Sequence, residues 1–172
     1  MKTIEIKLYQ FNELSEEAKK NALQECSSIN IHFDWWDCIL DDLKEDGVEL
    51  SSFDIYRQEI DIRLDFALED VCALIIDQRG SRSAIRKLAL ATLDDIKKTQ
   101  KTYENSFDEW GECSDYDEEM QDLEVEFIGS LQGEVLSLLG REYDYQTSEE
   151  AIIETIEANE YDFTENGERY KL

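Results

Sequence analysis

Between Glu104 and Glu124 the chain reads ENSFDEWGECSDYDEEMQDLE, ten acidic residues with no Lys or Arg. Like charges so crowded repel one another and oppose a compact state. A fold of this chain must therefore keep that segment solvated, set a basic neighbour beside it, or reserve it for a basic partner. The same constraint acts on the whole molecule, where 43 Asp and Glu face 17 Lys and Arg for a net charge of −26. Direct binding to a bare nucleic-acid backbone is opposed electrostatically, and a basic protein partner is favoured. Hydrophobic content of 41% and aromatic content of 10% still lie near globular values. At 172 residues the chain suits one domain, spanning 1–172, with a buried core.

Periodicity supplies the elements. Ile4, Ile6 and Leu8 alternate with Glu5 and Lys7, which predicts a first strand over Thr3 to Tyr9. Ser15 is placed to cap a helix from Glu16 to about Cys26, with Glu16 and Glu17 at its positive dipole end. Asn30 and Gly47 bracket a second helix whose stripe is Ile31, Trp35, Ile39 and Leu43. VELSSFDIYR and QEIDIRLDF read as an antiparallel strand pair. A helix closed by Gly80 and a longer one opened by Ser81 or Ser83 and reaching about Tyr103 come next.

From Asp115, the residues Met120, Leu123, Phe127, Leu131, Val135 and Leu138 recur at spacings of three and four and predict an amphipathic helix of about six turns. Gly129, Gly133 and Gly140 within it predict close approach of another backbone, or helix breaks. Thr147 and Glu150 stand in capping-box register for a short last helix, and Asn166-Gly167 signals a hairpin turn. Strands and helices come in blocks, so the expected fold is α+β: a small antiparallel sheet of about four to five strands packed against about five to six helices.

The charge is unevenly distributed. Arg79 to Lys101 holds seven basic residues against Asp94 and Asp95, whereas Thr102 to Gly140 holds twelve acidic residues and no basic one. The basic helix could neutralise the acidic segment and leave an ordinary solvated surface. Alternatively the acidity forms a continuous face, since Asp115, Glu118, Glu119 and Asp122 share the side of a helix opposite Leu123 and Phe127. Neighbouring carboxylates on such a face sit at roughly 5–6 Å between Cβ atoms, a spacing compatible with phosphate mimicry. Candidate partner-binding residues are Asp108, Glu109, Trp110, Glu112, Asp115, Asp117, Glu118, Glu119 and Asp122. Phe107, Trp110 and Tyr116 either anchor a partner or pin the segment to the core. Asp34, Trp36, Asp37 and Asp41 form a secondary candidate surface.

Signs of catalysis are sparse. His32 is the one histidine and has no obviously paired Ser or Cys. Asp34, Asp37, Asp41 and Asp42 follow a helix face and match no calcium-loop spacing. No P-loop, dinucleotide fingerprint or nucleophile elbow is present. Cys26, Cys38, Cys72 and Cys113 form no CxxC pair and read as reduced, buried thiols. The expectation is a protein without catalytic residues, metal or cofactor. No apolar run approaches a membrane span and the N-terminus lacks a signal-peptide core, so the expected compartment is the cytosol and no membrane partner is expected.

Three stretches, YQFNELSEEAKKNALQ, DWWDCILDDLKEDGVEL with the following FDI, and REYDYQTSEEAIIETIEANEYDFTENG, resemble a widespread family of small acidic proteins encoded by bacteriophages and prophages, sometimes labelled antitoxin-like. The resemblance lies at the two ends of the chain and supplies no catalytic residue. It implies a bacterial host cytosol during infection or lysogeny. Together with the charge, it leads to the expectation of a non-enzymatic inhibitor of a host defence or DNA-processing protein, of anti-CRISPR or anti-restriction type, acting as a DNA mimic through Glu104 to Glu124. An antitoxin-like or regulatory binding module using the Trp35/Trp36 helix or the C-terminal hairpin is the second reading. A small-ligand sponge or an enzyme with a carboxylate site is the third.

Overall fold

The structure, a computed structural model, describes residues 5–108 and 111–171. It is α+β, with six α-helices among the described residues. The single sheet of four to five strands is replaced by two separate two-stranded antiparallel sheets. The chain divides into two compact units, 1–35 with 141–172, and 36–140.

In the first unit, β1 (Tyr9–Gln10) pairs with β4 (Asp162–Phe163), Tyr9 opposite Phe163. Among the described residues the long first strand therefore shrinks to two, and Thr3 and Ile4 lie outside the described residues. Helix α1 (Glu16–Glu25) starts where Ser15 Oγ accepts the Ala18 N–H. Helix α6 (Glu149–Ala158) is capped by Ser148, whose hydroxyl accepts the Ala151 N–H, one residue later than the capping box suggested. Thr147 instead donates to the Tyr143 carbonyl. Phe11, Leu14, Ala18, Ala22, Ile152, Ile156 and Phe163 form the core of this unit. Gly167 holds the C-terminal turn at φ +84°, where a Cβ would lie 2.0 Å from the Ala18 carbonyl oxygen. Only glycine fits that approach.

The expected second helix is cut short. Asn30 does not cap it, because its side-chain amide donates to the Gln146 carbonyl and its oxygen accepts from Thr155. Trp35 packs edge-on to Tyr143. The chain makes a short 3-10 turn at Ile29–Ile31, and α2 begins only at Asp37 (Asp37–Glu45).

In the second unit α2 closes at Gly47, as its φ of +76° requires. The hairpin of β2 (Val48–Asp54) and β3 (Glu59–Leu64) follows, Val48 opposite Leu64, with a bulge between Leu50 and Ser52. Helix α3 (Leu68–Gln78) packs on α4 (Ala84–Tyr103), which Ser83 caps through the Arg86 N–H. Helix α5 (Ser114–Gln146), which belongs to this unit as far as Gly140, is unbroken over 33 residues, longer than the six turns expected, and buries Phe127, Leu131, Val135 and Leu139. Gln132 ties it to β3 through the Ile60 carbonyl. A Cβ at Gly129, Gly133 or Gly140 would meet nothing within 4 Å, so neither close approach nor a break explains these glycines.

Asp46, 1% exposed, follows α2 and accepts a hydrogen bond from Arg79 Nε beyond the end of α3. Asp46 Oδ1 and Arg79 Nη2 are buried without a partner among the described residues. Burial pushes the Asp46 carboxyl above its ordinary value, and Arg79 pulls it only part of the way back.

Two outcomes are expected from thermal and chemical unfolding. Gly129→Ala and Gly133→Ala each stabilise the protein by roughly 0.8–1 kcal/mol, because helix propensity improves with nothing displaced, whereas Gly167→Ala destabilises it. Arg79→Ala costs on the order of 3–5 kcal/mol at neutral pH by stranding a buried carboxylate. Asp46 then binds its proton in the folded state at a pH where the unfolded chain has lost it. The deficit of the variant relative to the parent therefore shrinks as pH falls toward the unfolded value of about 4; a pH-independent deficit contradicts the assignment.

Candidate partner-binding surface

The acidic segment is held by contacts from α4. Ile85, Ala89, Thr92, Ile96 and Thr99 recur at spacings of three and four and bury one face of that helix, which carries Tyr103 into position at its end. Tyr116, in the first turns of α5, sits between two rings. Its centroid lies 6.1 Å from Tyr103 and 5.2 Å from Phe107, both edge-on, the geometry favoured by aromatic quadrupoles. Glu119 completes the attachment. Its Oε1 accepts from the buried Thr99 hydroxyl at 3.2 Å, and it also accepts from the Tyr103 hydroxyl, which raises the Tyr103 pKa above the ordinary 10.

The nine sequence candidates separate into distinct roles. Asp108 builds the loop before α5: its N–H donates to the Glu112 carbonyl, and its carboxylate accepts the Glu112 N–H at 2.9 Å. Glu109 and Trp110 lie outside the described residues. Glu112 is exposed. Asp115 and Asp117 are exposed in the first turn of α5, where the helix dipole favours negative charge. Glu119, expected on the open face, is engaged with Thr99 and Tyr103.

Asp115, Glu118 and Asp122, spaced three and four apart, share the side of α5 turned away from Tyr116, Met120 and Phe127. All three are exposed, and none takes part in an ion pair with a described residue. Val125, 65% exposed, continues the same stripe three residues on. The basic residues of α4 do not pair with them. Lys98 bridges Asp94 and Asp95 of its own helix, each at 2.8 Å, and Arg86 donates to the Ile76 carbonyl.

The secondary candidates lie apart from this face in sequence. Asp34 is exposed in the turn before α2, and Asp37 and Asp41 are exposed on that helix. Trp36 packs edge-on to Phe53 at 5.4 Å. Asp41 lines a groove of about 480 Å³ between α2 and β2, with Leu40, Lys44, Val48, Glu49, Leu50 and Asp65. An adjoining cavity of about 390 Å³ shares Leu40 and Leu50 with it and adds Trp36, Ser51, Ser52 and Phe53. Glu49 and Asp65 were not singled out from the sequence because they belong to strand patterns; only the packing of α2 on β2 brings them beside Asp41.

The chemistry available elsewhere is limited. No group of three or more metal-ligating side chains is assembled among the described residues. His32 is exposed, with Nε2 3.1 Å from Ser28 Oγ. Cys26 and Cys72 are buried as expected, and burial pushes both thiols up, Cys72 to about 12, so neither is a thiolate at neutral pH. Cys113 is partly covered, and Cys38 is exposed, contrary to expectation, on the polar side of α2. No helix among the described residues is long and apolar enough to cross a membrane. No known protein family, curated protein or solved structure matches the chain.

Glu119→Gln removes the negative acceptor that holds the Tyr103 proton. Tyr103 then ionises at lower pH, nearer 10, in a titration of its 13Cζ shift. The hydrogen bond's contribution to stability is present below the unfolded Tyr pKa and is lost as pH rises through the raised folded value. An unchanged Tyr103 titration removes Glu119 from its anchoring role.

Proposed function

We propose that this protein is a non-enzymatic binding module that presents Asp115, Glu118 and Asp122 to a basic surface on a nucleic-acid-binding protein and so excludes nucleic acid from it. The observation that carries this reading is the pairing state of the face: three exposed carboxylates, unneutralised by α4, on a helix end fixed by Tyr116 and Glu119. Fixing them in advance lowers the ordering cost of binding. Their charge steers a basic partner and repels competing nucleic acid. The resemblance to acidic phage-encoded proteins favours, as target, a host defence or DNA-processing enzyme in the bacterial cytosol.

Glu119 is left intact in the test, since reversing it would release α5 from α4. The triple variant Asp115→Lys, Glu118→Lys, Asp122→Lys should fold with a loss of about 1 kcal/mol, mainly from the altered helix N-terminus. Immobilised parent protein is expected to retain a nucleic-acid enzyme from bacterial lysate, releasable by DNA or by salt, and the variant to retain none of it. Equal retention by both proteins removes the face from the function.

A further inference from the structure

We propose that the groove between α2 and β2 is a second, independent docking site, which takes an Arg or Lys side chain of a partner protein together with an adjoining bulky apolar side chain. The groove is lined by the apolar Leu40, Val48 and Leu50 together with the exposed acidic residues Asp41, Glu49 and Asp65. A long basic side chain has the same division, an aliphatic stem and a charged head. The stem would lie along Leu40, Val48 and Leu50 and the head would meet the acidic residues at the groove's edge.

Charge complementarity selects this occupant. Three acidic residues and one cation, Lys44, line the groove, and none of the three carboxylates is engaged in a hydrogen bond or ion pair with a described residue. Asp54 and Asp94, by contrast, are paired with Arg57 and Lys98 nearby in sequence. A bare metal ion does not fit, because Leu40, Val48 and Leu50 offer it no ligand and no three ligating side chains converge among the described residues. A second copy of the chain, with a net charge of −26, would approach against repulsion.

The neighbouring cavity explains the second half of the motif. It shares Leu40 and Leu50 with the first, so the two adjoin, and Trp36 packed edge-on to Phe53 gives it an aromatic wall. A leucine- or phenylalanine-sized side chain next to the cation would fill it. Aromatic pockets bordered by charge are where binding energy concentrates in protein interfaces.

The test uses the full chain and an acetylated, amidated eight-residue peptide with a central Arg-Leu pair, followed by the methyl shifts of Leu40, Val48 and Leu50. The expected result is a saturable shift of all three. Binding should weaken at least about tenfold when citrulline replaces arginine, which preserves shape and removes charge. It should weaken similarly in Asp41→Asn/Glu49→Gln/Asp65→Asn, whose unchanged amide spectrum outside the groove reports an intact fold. Absence of shifts at millimolar peptide, or equal binding of the citrulline peptide, overturns the proposal. The α5 variant Asp115→Lys/Glu118→Lys/Asp122→Lys should bind the Arg-Leu peptide as the parent does. Failure of the acidic α5 face and failure of the groove are thereby read separately.

Discussion

Repulsion among the carboxylates that open α5 sets the central problem of this structure, and a few contacts to α4 and to Phe107 beyond its end answer it. Tyr116 between Tyr103 and Phe107, and Glu119 against Thr99 and Tyr103, attach the segment without using a cation. Aromatic pairs of this kind contribute roughly 0.5–1.5 kcal/mol beyond their burial. The Thr99 hydroxyl is buried, so its hydrogen bond to Glu119 also satisfies a donor that water does not reach. Salt bridges to α4 would have held the segment as well, but would have cancelled the field it presents. The charge on Asp115, Glu118 and Asp122 thus stays available while the helix end stays ordered.

Local patterns in the sequence guided most of the assignments in which one residue acts on its own neighbours, although α6 is capped by Ser148 and not by Thr147. Ser15 caps the helix it was expected to cap, Ser83 and not Ser81 caps α4, Gly47 ends α2, and the alternation of Ile60, Ile62 and Leu64 became β3. The departures occur where distant residues compete for the same groups. Asn30 looked like a helix cap, yet Gln146 and Thr155, more than a hundred positions away, take its side chain. The alternation from Thr3 to Tyr9 promised a long strand, but β4 offers only Asp162 and Phe163 as partners. No periodicity reports such long-range demands.

The candidate site was legible to the same degree. Its charge and helical spacing were evident in Asp115, Glu118 and Asp122. The sorting of Glu119 into an anchor was not, because Thr99 is a polar residue in a stripe that reads as apolar and nothing nearby signals its burial. Asp108 likewise looked like another surface acid and is a loop-building acceptor. The α2/β2 groove was half visible, through Trp36 and Asp41, and needed the fold to bring up Glu49 and Asp65. Buried Asp46 with Arg79 follows the same rule, since two charged residues 33 positions apart carry no sequence mark of being a pair.

The central claim is that the α5 face and nucleic acid compete for one basic surface. With a partner enzyme in hand, the decisive measurement is the mass of the species formed when its cognate DNA is titrated into the enzyme–protein complex, followed by sedimentation at fixed salt. Mimicry predicts two exclusive complexes, enzyme with protein or enzyme with DNA, and an apparent affinity for the protein that falls in proportion to the DNA added. A stable ternary complex, with that affinity unchanged by DNA, would contradict the account.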